Sequence, residues 1–197
     1  MGGENRGTAM AASLVRAGRT AGMALEDVAT LSRAHTLAMA PRVAALDDDH
    51  HPLYLHPGRS ALILMRDVGT TDPTVLAGAL LTESEDEAFR IPVARVGQEV
   101  GDEVARLVSG VPNPADEDLA EALVVAEEPV RLVALAERLD HLRHAHLRDA
   151  DPGWRRRIHE EAVRVYQPVA HRTHPRLAQR YDHWCRTFAV RLNQRRV

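Results

Sequence analysis

Apolar positions recur along most of the chain at spacings of three and four, and no run of any length alternates with period two. This pattern predicts helices throughout and an all-α bundle. A first helix is expected from about Leu25 to Met39, with Val28, Leu31 and His35 on one face. Residues 40–55, APRVAALDDDHHPLYL, read as a polar loop. Pro57 marks the next helix start and Gly69 its end, and Asp72 followed by Pro73 is an N-cap with proline at the first helical position. Val100, Val104, Leu107, Val108 and Val111 mark a further helix, and residues 112–118 a loop. Pro129 opens a long helix. Two more follow, one striped by Ile158, Ala162 and Val165, the other by Leu177, Tyr181, Trp184 and Phe188. Residues 1–22, rich in Gly, Ala, Ser and Thr, read as a loose tail, which leaves 23–197 as one helical domain.

Two acids interrupt this pattern. Leu76, Ala79 and Leu80 lead at helical offsets to Glu83, and Val130, Val133 and Ala134 lead to Glu137, with His141 one turn further. An unpaired carboxylate on an apolar stripe is costly to bury. One such acid is explained by a helix end meeting water. Two of them, each near a histidine or another acid, point to a shared polar site. Brought together in a poorly hydrated pocket, they need a cation, a protonated histidine or a shared proton; without a metal, His56 or His141 is the expected partner, and at least one acid is expected to have a raised pKa.

Composition narrows the chemistry. With 197 residues the chain suits one domain with a sizeable core, and aromatics at 4% leave that core to Leu, Val and Ala. The net charge of −3 gives no general attraction to nucleic acid or to an anionic membrane. No apolar run is long enough to span a bilayer, and no secretory signal is evident, so the cytoplasm is the expected location. All 25 basic residues are Arg, a mark of genomic codon bias in high-GC bacteria rather than of chemistry. Cys185 is the only cysteine, which excludes disulfide scaffolds and Cys-rich metal sites. A homo-oligomer stays open.

The segments YLHPGRSALIL, LAGALLTESEDE, VGDEVARLVSGV, LVALAERLDHLR and VYQPVAHR occur in this order between about Val28 and Phe188. They resemble the successive motifs of the HD-domain hydrolases of the RelA/SpoT type. The resemblance implies a single HD-domain helical bundle and a manganese-dependent enzyme that removes the 3′-pyrophosphate from guanosine tetra- and pentaphosphate. The length is similar to that of the stand-alone small alarmone hydrolases.

Residue by residue, the resemblance is incomplete. His56 falls on the family's first metal-binding His. The His-Asp pair that names the fold falls on Thr82 and Glu83, and the following Glu-Asp pair, which helps to activate water, on Asp86 and Glu87. The last metal-binding Asp falls on Glu137, and an Asn one turn later on His141. The basic loop before the first His, which faces substrate phosphates in the family, is replaced by ALDDDHHPL, with Arg42 the basic residue left nearby. Glu reaches one methylene further than Asp, and Thr is a poor substitute for an imidazole ligand.

Glu83, Asp86, Glu87, Glu137 and His141 are therefore the candidate catalytic residues, and Arg42, His56 and Thr82 the candidate substrate-binding residues. No metal is expected. Were Mn²⁺ or Mg²⁺ held, His56, Glu83 and Glu137 are the ligand set, with Asp47, Asp48, Asp49, His50 or His51 able to supply a missing ligand. Three readings follow. The pocket binds a small molecule, a nucleotide among the candidates, without hydrolysis. It is reused for Glu/His acid–base chemistry with little or no metal. Or an atypical metal site still works as a pyrophosphohydrolase.

Other motifs carry less. In HLRHAH, His144 and His146 read as a solvated helix end. HEEAV at His159 lacks the second histidine of a zinc-protease motif. WRRR at Trp154–Arg157 reads as a charged helix start, since a nucleic-acid patch needs a wider basic surface.

Overall fold

A computed structural model of the chain describes residues 5–46, 48–147 and 151–194. The fold is an all-α bundle, without strands among the described residues. In chain order the helices are α1 (Arg6–Thr20), α2 (Leu25–Ala45), α3 (His56–Ile63), α4 (Pro73–Leu81), α5 (Val93–Glu99), α6 (Asp102–Ser109), α7 (Leu119–Val125), α8 (Glu128–His144), α9 (Pro152–Glu161), α10 (Gln167–Thr173) and α11 (Pro175–Gln194). Among the described residues no helix is long and apolar enough to cross a membrane.

Local signals act where the sequence places them. The Asp72 carboxylate accepts from the amides of Thr74 and Val75, and Pro73 follows it into α4. A π-helical turn, Leu64–Val68, continues α3 and closes at Gly69, whose φ of +81° suits glycine. Every residue of α4 from Val75 to Leu81 is buried. A helix apolar on all sides belongs at the centre of a bundle, and α4 packs against α2, α3, α6 and α8. The arc of α8 from Leu132 to Leu142 is also buried, although it carries Glu137, Arg138, Asp140 and His141. Its polar groups therefore need partners inside the protein.

Three expected boundaries are different in the structure. The expected loose tail is helix over Arg6–Thr20, with Leu14 buried against the core and Met10 packed over Gly58 of α3. Its small residues allow close helix approach: Gly18 lies against Val28 and Met23. The expected loop at 40–55 begins later, because α2 runs on through Pro41 to Ala45. Pro41 supplies no N–H to the helical ladder, but the continuing helix buries Leu37, Ala38, Met39 and Arg42. The expected helix marked by Val100–Val111 is the shorter α6, which starts only after Gly101, whose φ of +133° is outside the helical region, and the separate α5 ends just before Val100. The stripes on α9–α11 are core: Ile158, Ala162, Leu177, Tyr181, Trp184 and Phe188 are all buried.

Candidate functional site

Four segments meet in one buried polar cluster. Arg42 comes from α2, His56 and Arg59 from α3, residues 82–85 from the strand-like exit of α4, and Glu137, Arg138, Asp140 and His141 from α8. Glu83 is not on α4 as its spacing suggested. The helix ends at Leu81, Thr82 is extended (φ −80°, ψ 126°), and Glu83 points inward from the turn beyond. In the turn beyond the helix the backbone amides have no helical carbonyl to bond, and the Glu83 carboxylate takes two of them: Oε1 accepts from the N–H of Glu85 (3.1 Å) and of Asp86 (3.2 Å). Its Oε2 accepts from Arg42 Nη2 at 2.6 Å.

Glu137 is held in a matching way. Its Oε1 accepts from the backbone N–H of Ser84 at 2.9 Å and from the Ser84 hydroxyl at 2.6 Å. His141 lies between the two acids, with Nε2 3.3 Å from Glu83 Oε1 and 3.1 Å from Glu137 Oε1. Its Nδ1 is 3.4 Å from Glu85 Oε2. These are charge contacts rather than aligned hydrogen bonds. The His56 ring stacks on that of His141, with centroids 4.1 Å apart. His56 Nδ1–H donates to Asp140 Oδ2 at 2.9 Å, and its Nε2 faces Glu137 Oε1 at 4.0 Å without a hydrogen-bond partner among the described residues. Asp140 is clamped from its other side by Arg59, whose Nε donates at 2.8 Å. Arg138 joins Glu85 to Glu161, pairing with Glu161 at 2.8 Å.

The electrostatics invert one expectation. Neither acid of the pair is raised. Burial pushes Glu83 upward, but His141, His56 and Arg42 outweigh it and hold the carboxyl well below the usual range. Glu137 is held below its ordinary value too, with burial again opposed by His141 and His56. Burial opposes charge on His141 as well, yet Glu137 and Glu83 bring its pKa up to about 10. The two acids are thus reconciled by an imidazolium rather than by a shared proton.

The remaining candidates have other positions. Thr82 is buried, but its hydroxyl donates to the Gly78 carbonyl of its own helix at 2.9 Å. Asp86 is half-buried and caps a 3₁₀ turn, accepting from the Ala88 amide at 3.0 Å, and Glu87 is exposed beside Arg90. Neither is part of the buried cluster, because the short turn after Asp86 carries both toward the surface. Arg42 is buried with all of its donor groups used inside the protein: Nε on the Leu53 carbonyl, Nη1 on that of Ala38 and Nη2 on Glu83. Asp48, Asp49 and His50 form a separate grouping near the surface, and His51 Nδ1 accepts from the Leu53 amide. Asp47 lies outside the described residues. His144 donates to the Asp140 carbonyl, His146 is exposed, and His159 donates to the Cys185 carbonyl.

Glu85, Arg59, Arg138, Ser84 and Asp140 were missed by sequence reasoning. Asp140 had the clearest available signal, a second acid on the inward stretch of α8.

At the positions where the resemblance implies a divalent ion, the donor atoms are engaged within the chain. Thr82 gives its hydroxyl to Gly78, and both Glu83 oxygens have cationic or amide donors. A different trio, His56, Glu137 and His141, places one donor atom each within 4.8 Å of one another. A cation there must displace the proton that His141 holds between its carboxylates.

Beside the cluster a cavity of about 530 Å³ opens between the 46–53 loop and the 85–89 turn. Leu46, Leu53, Phe89 and Leu147 supply its apolar walls, and His51, Glu85 and Asp86 its polar groups. Glu85 thus touches both the cavity and, through His141, the buried cluster.

The chain matches no protein-family model, and no curated protein matches it significantly.

Proposed function

We propose that this chain is an HD-type helical domain related to guanosine tetraphosphate hydrolases, that metal-dependent hydrolysis has been given up, and that the cavity beside Glu85 binds a small polar molecule. One observation carries the reading: Arg42 and His141, cations of the chain itself, hold Glu83 and Glu137, the acids that fall on the resembled metal-binding positions. A metal ion neutralises acids in such a site and activates water. Here the neutralising charge is covalently attached and nearly free of solvent, with the Arg42 and Glu83 side chains only 2% and 1% exposed. The cavity's size falls within the ~300–1,000 Å³ of small-molecule sites. Its acids, Glu85 and Asp86, favour a neutral or cationic ligand over a polyphosphate.

Elemental analysis after purification without chelator tests the loss of metal chemistry. Less than a tenth of an equivalent of transition metal is expected, with no turnover of guanosine tetraphosphate on adding Mn²⁺. One equivalent of tightly held metal, or Mn²⁺-dependent turnover, overturns the reading.

A second reading is favoured by the grouping of His56, Glu137 and His141, whose donor atoms lie within 4.8 Å. It makes the chain an atypical metal-binding protein. Stoichiometric metal that is lost in His56→Ala while Thr82→Ala retains it supports this alternative.

A further inference from the structure

A second cavity, of about 280 Å³, lies where α3 and its π-helical turn meet α8 and α11, and it shares no lining residue with the cavity beside Glu85. Its walls carry four arginines, Arg59, Arg66, Arg143 and Arg180, against two acids, Asp67 and Asp140. The acids serve as supports. Asp67, 12% exposed, receives Arg180 through two hydrogen bonds of 2.6 and 3.1 Å and stands 3.8 Å from Arg143. Asp140 receives Arg59 at 2.8 and 2.9 Å. Each carboxylate is thus already occupied, and two guanidinium charges remain in surplus. Among the described residues the Arg143 guanidinium has only the 3.8 Å charge contact with Asp67, and burial, together with the nearby Arg180, pulls its pKa down despite that contact.

We propose that this cavity is a binding site for a phosphate group. Guanidinium forks match the oxygens of a phosphate in pairs, and their weak hydration suits a partly enclosed wall. Two surplus positive charges balance one doubly charged phosphate. The volume leaves space beyond the phosphate itself, so the site takes a phosphomonoester with a small body as well as the free anion. The backbone has a matching feature. Arg66 and Asp67 lie on the π-helical turn Leu64–Val68, an insertion in the helical ladder of a kind that recurs at functional sites.

The test is calorimetric titration of the full chain with inorganic phosphate and with glycerol phosphate, each against sodium chloride at matched ionic strength. Saturable one-to-one binding is expected with both phosphates and none with chloride. Tighter binding of the ester identifies a phosphorylated metabolite as the ligand, and equal affinity identifies the free anion. Arg66→Gln, at an exposed position, should weaken binding about threefold, and Arg66→Gln with Arg143→Gln at least tenfold. Arg156→Gln, an exposed arginine outside the cavity, should leave affinity unchanged. Absence of saturable binding overturns the proposal, as does an equal loss in Arg156→Gln, which reports diffuse charge alone. Should the double variant fail to fold, Arg66→Gln against Arg156→Gln still decides. None of these outcomes depends on metal content or on the cavity beside Glu85.

Discussion

Arg42 Nη2 lies 2.6 Å from Glu83 Oε2, joining the C-terminal part of α2 to the turn after α4 with both side chains almost fully buried. Forty-one residues separate the pair. A buried ion pair broken from one side leaves a charge without a partner, at a typical cost of about 3–5 kcal/mol. Arg42→Met is expected to fall in that range. Glu83→Gln should also destabilise, since it uncovers Arg42 and weakens acceptance from two amides. Their double mutant should be less destabilised than the sum of the singles, by about 1–3 kcal/mol, measured by urea unfolding. Additivity within ~0.5 kcal/mol would show that the pair has no coupling.

Asp140 accepts from His56 and from Arg59 while almost fully buried. Asparagine cannot serve both donors as a carboxylate does. Asp140→Asn should cost about 1.5–3 kcal/mol, the range for hydrogen bonds to charged groups. Glu87→Gln, at an exposed position on the same chain, should stay within about 0.5 kcal/mol of the parent. Comparable losses at both positions would contradict this assignment.

His35 predicts the acid limb of stability. It is 5% exposed, its Nε2 has no partner among the described residues, and burial, aided by Arg42, pushes its pKa down to about 4 from 6.5. The unfolded chain therefore binds a proton at His35 before the folded chain does. Above pH 6.5 neither state is protonated there, and nothing is lost. As the pH falls from 6.5 to 4, stability should drop by up to about 3 kcal/mol from this residue. Denaturant unfolding at pH 7, 5.5 and 4.5 reads the slope, and His35→Leu should flatten it. An unchanged slope in that variant would assign the acid sensitivity to other groups.

Two glycines mark close helix approach. A methyl group at Gly78 of α4 would overlap Leu107 Cδ2 of α6 and touch Val133 of α8. Gly78→Ala should cost about 1–3 kcal/mol through overpacking. At Gly58 the overlap is with Met10 of α1, whose long side chain can move aside. Gly58→Ala should cost less, and Met10→Ala in the same chain should recover part of the loss. Thermal unfolding of the three variants checks the order.

The sequence by itself determined the helical class, because period and caps are local. Asp72-Pro73, Gly69 and Pro129 act within about four residues of themselves, and each marks a boundary close to the observed one. It also singled out Glu83, Glu137 and His141, since charged residues on apolar stripes are conspicuous without a structure, while His56 came from the resemblance alone. Their partners were not legible. Whether Glu83 meets Arg42, or His56 meets Asp140 across 84 residues, depends on how α2, α3, the exit of α4 and α8 pack together. The protonation pattern followed the same packing. From sequence, two acids in one pocket imply a raised pKa. In the structure, His141 and Arg42 reach those acids first, and the positive charge moves to the imidazole. Hydrophobic periodicity reports which face a residue occupies, whereas the charge state of a buried group depends on distances of a few ångströms to residues far along the chain, which tertiary packing alone decides.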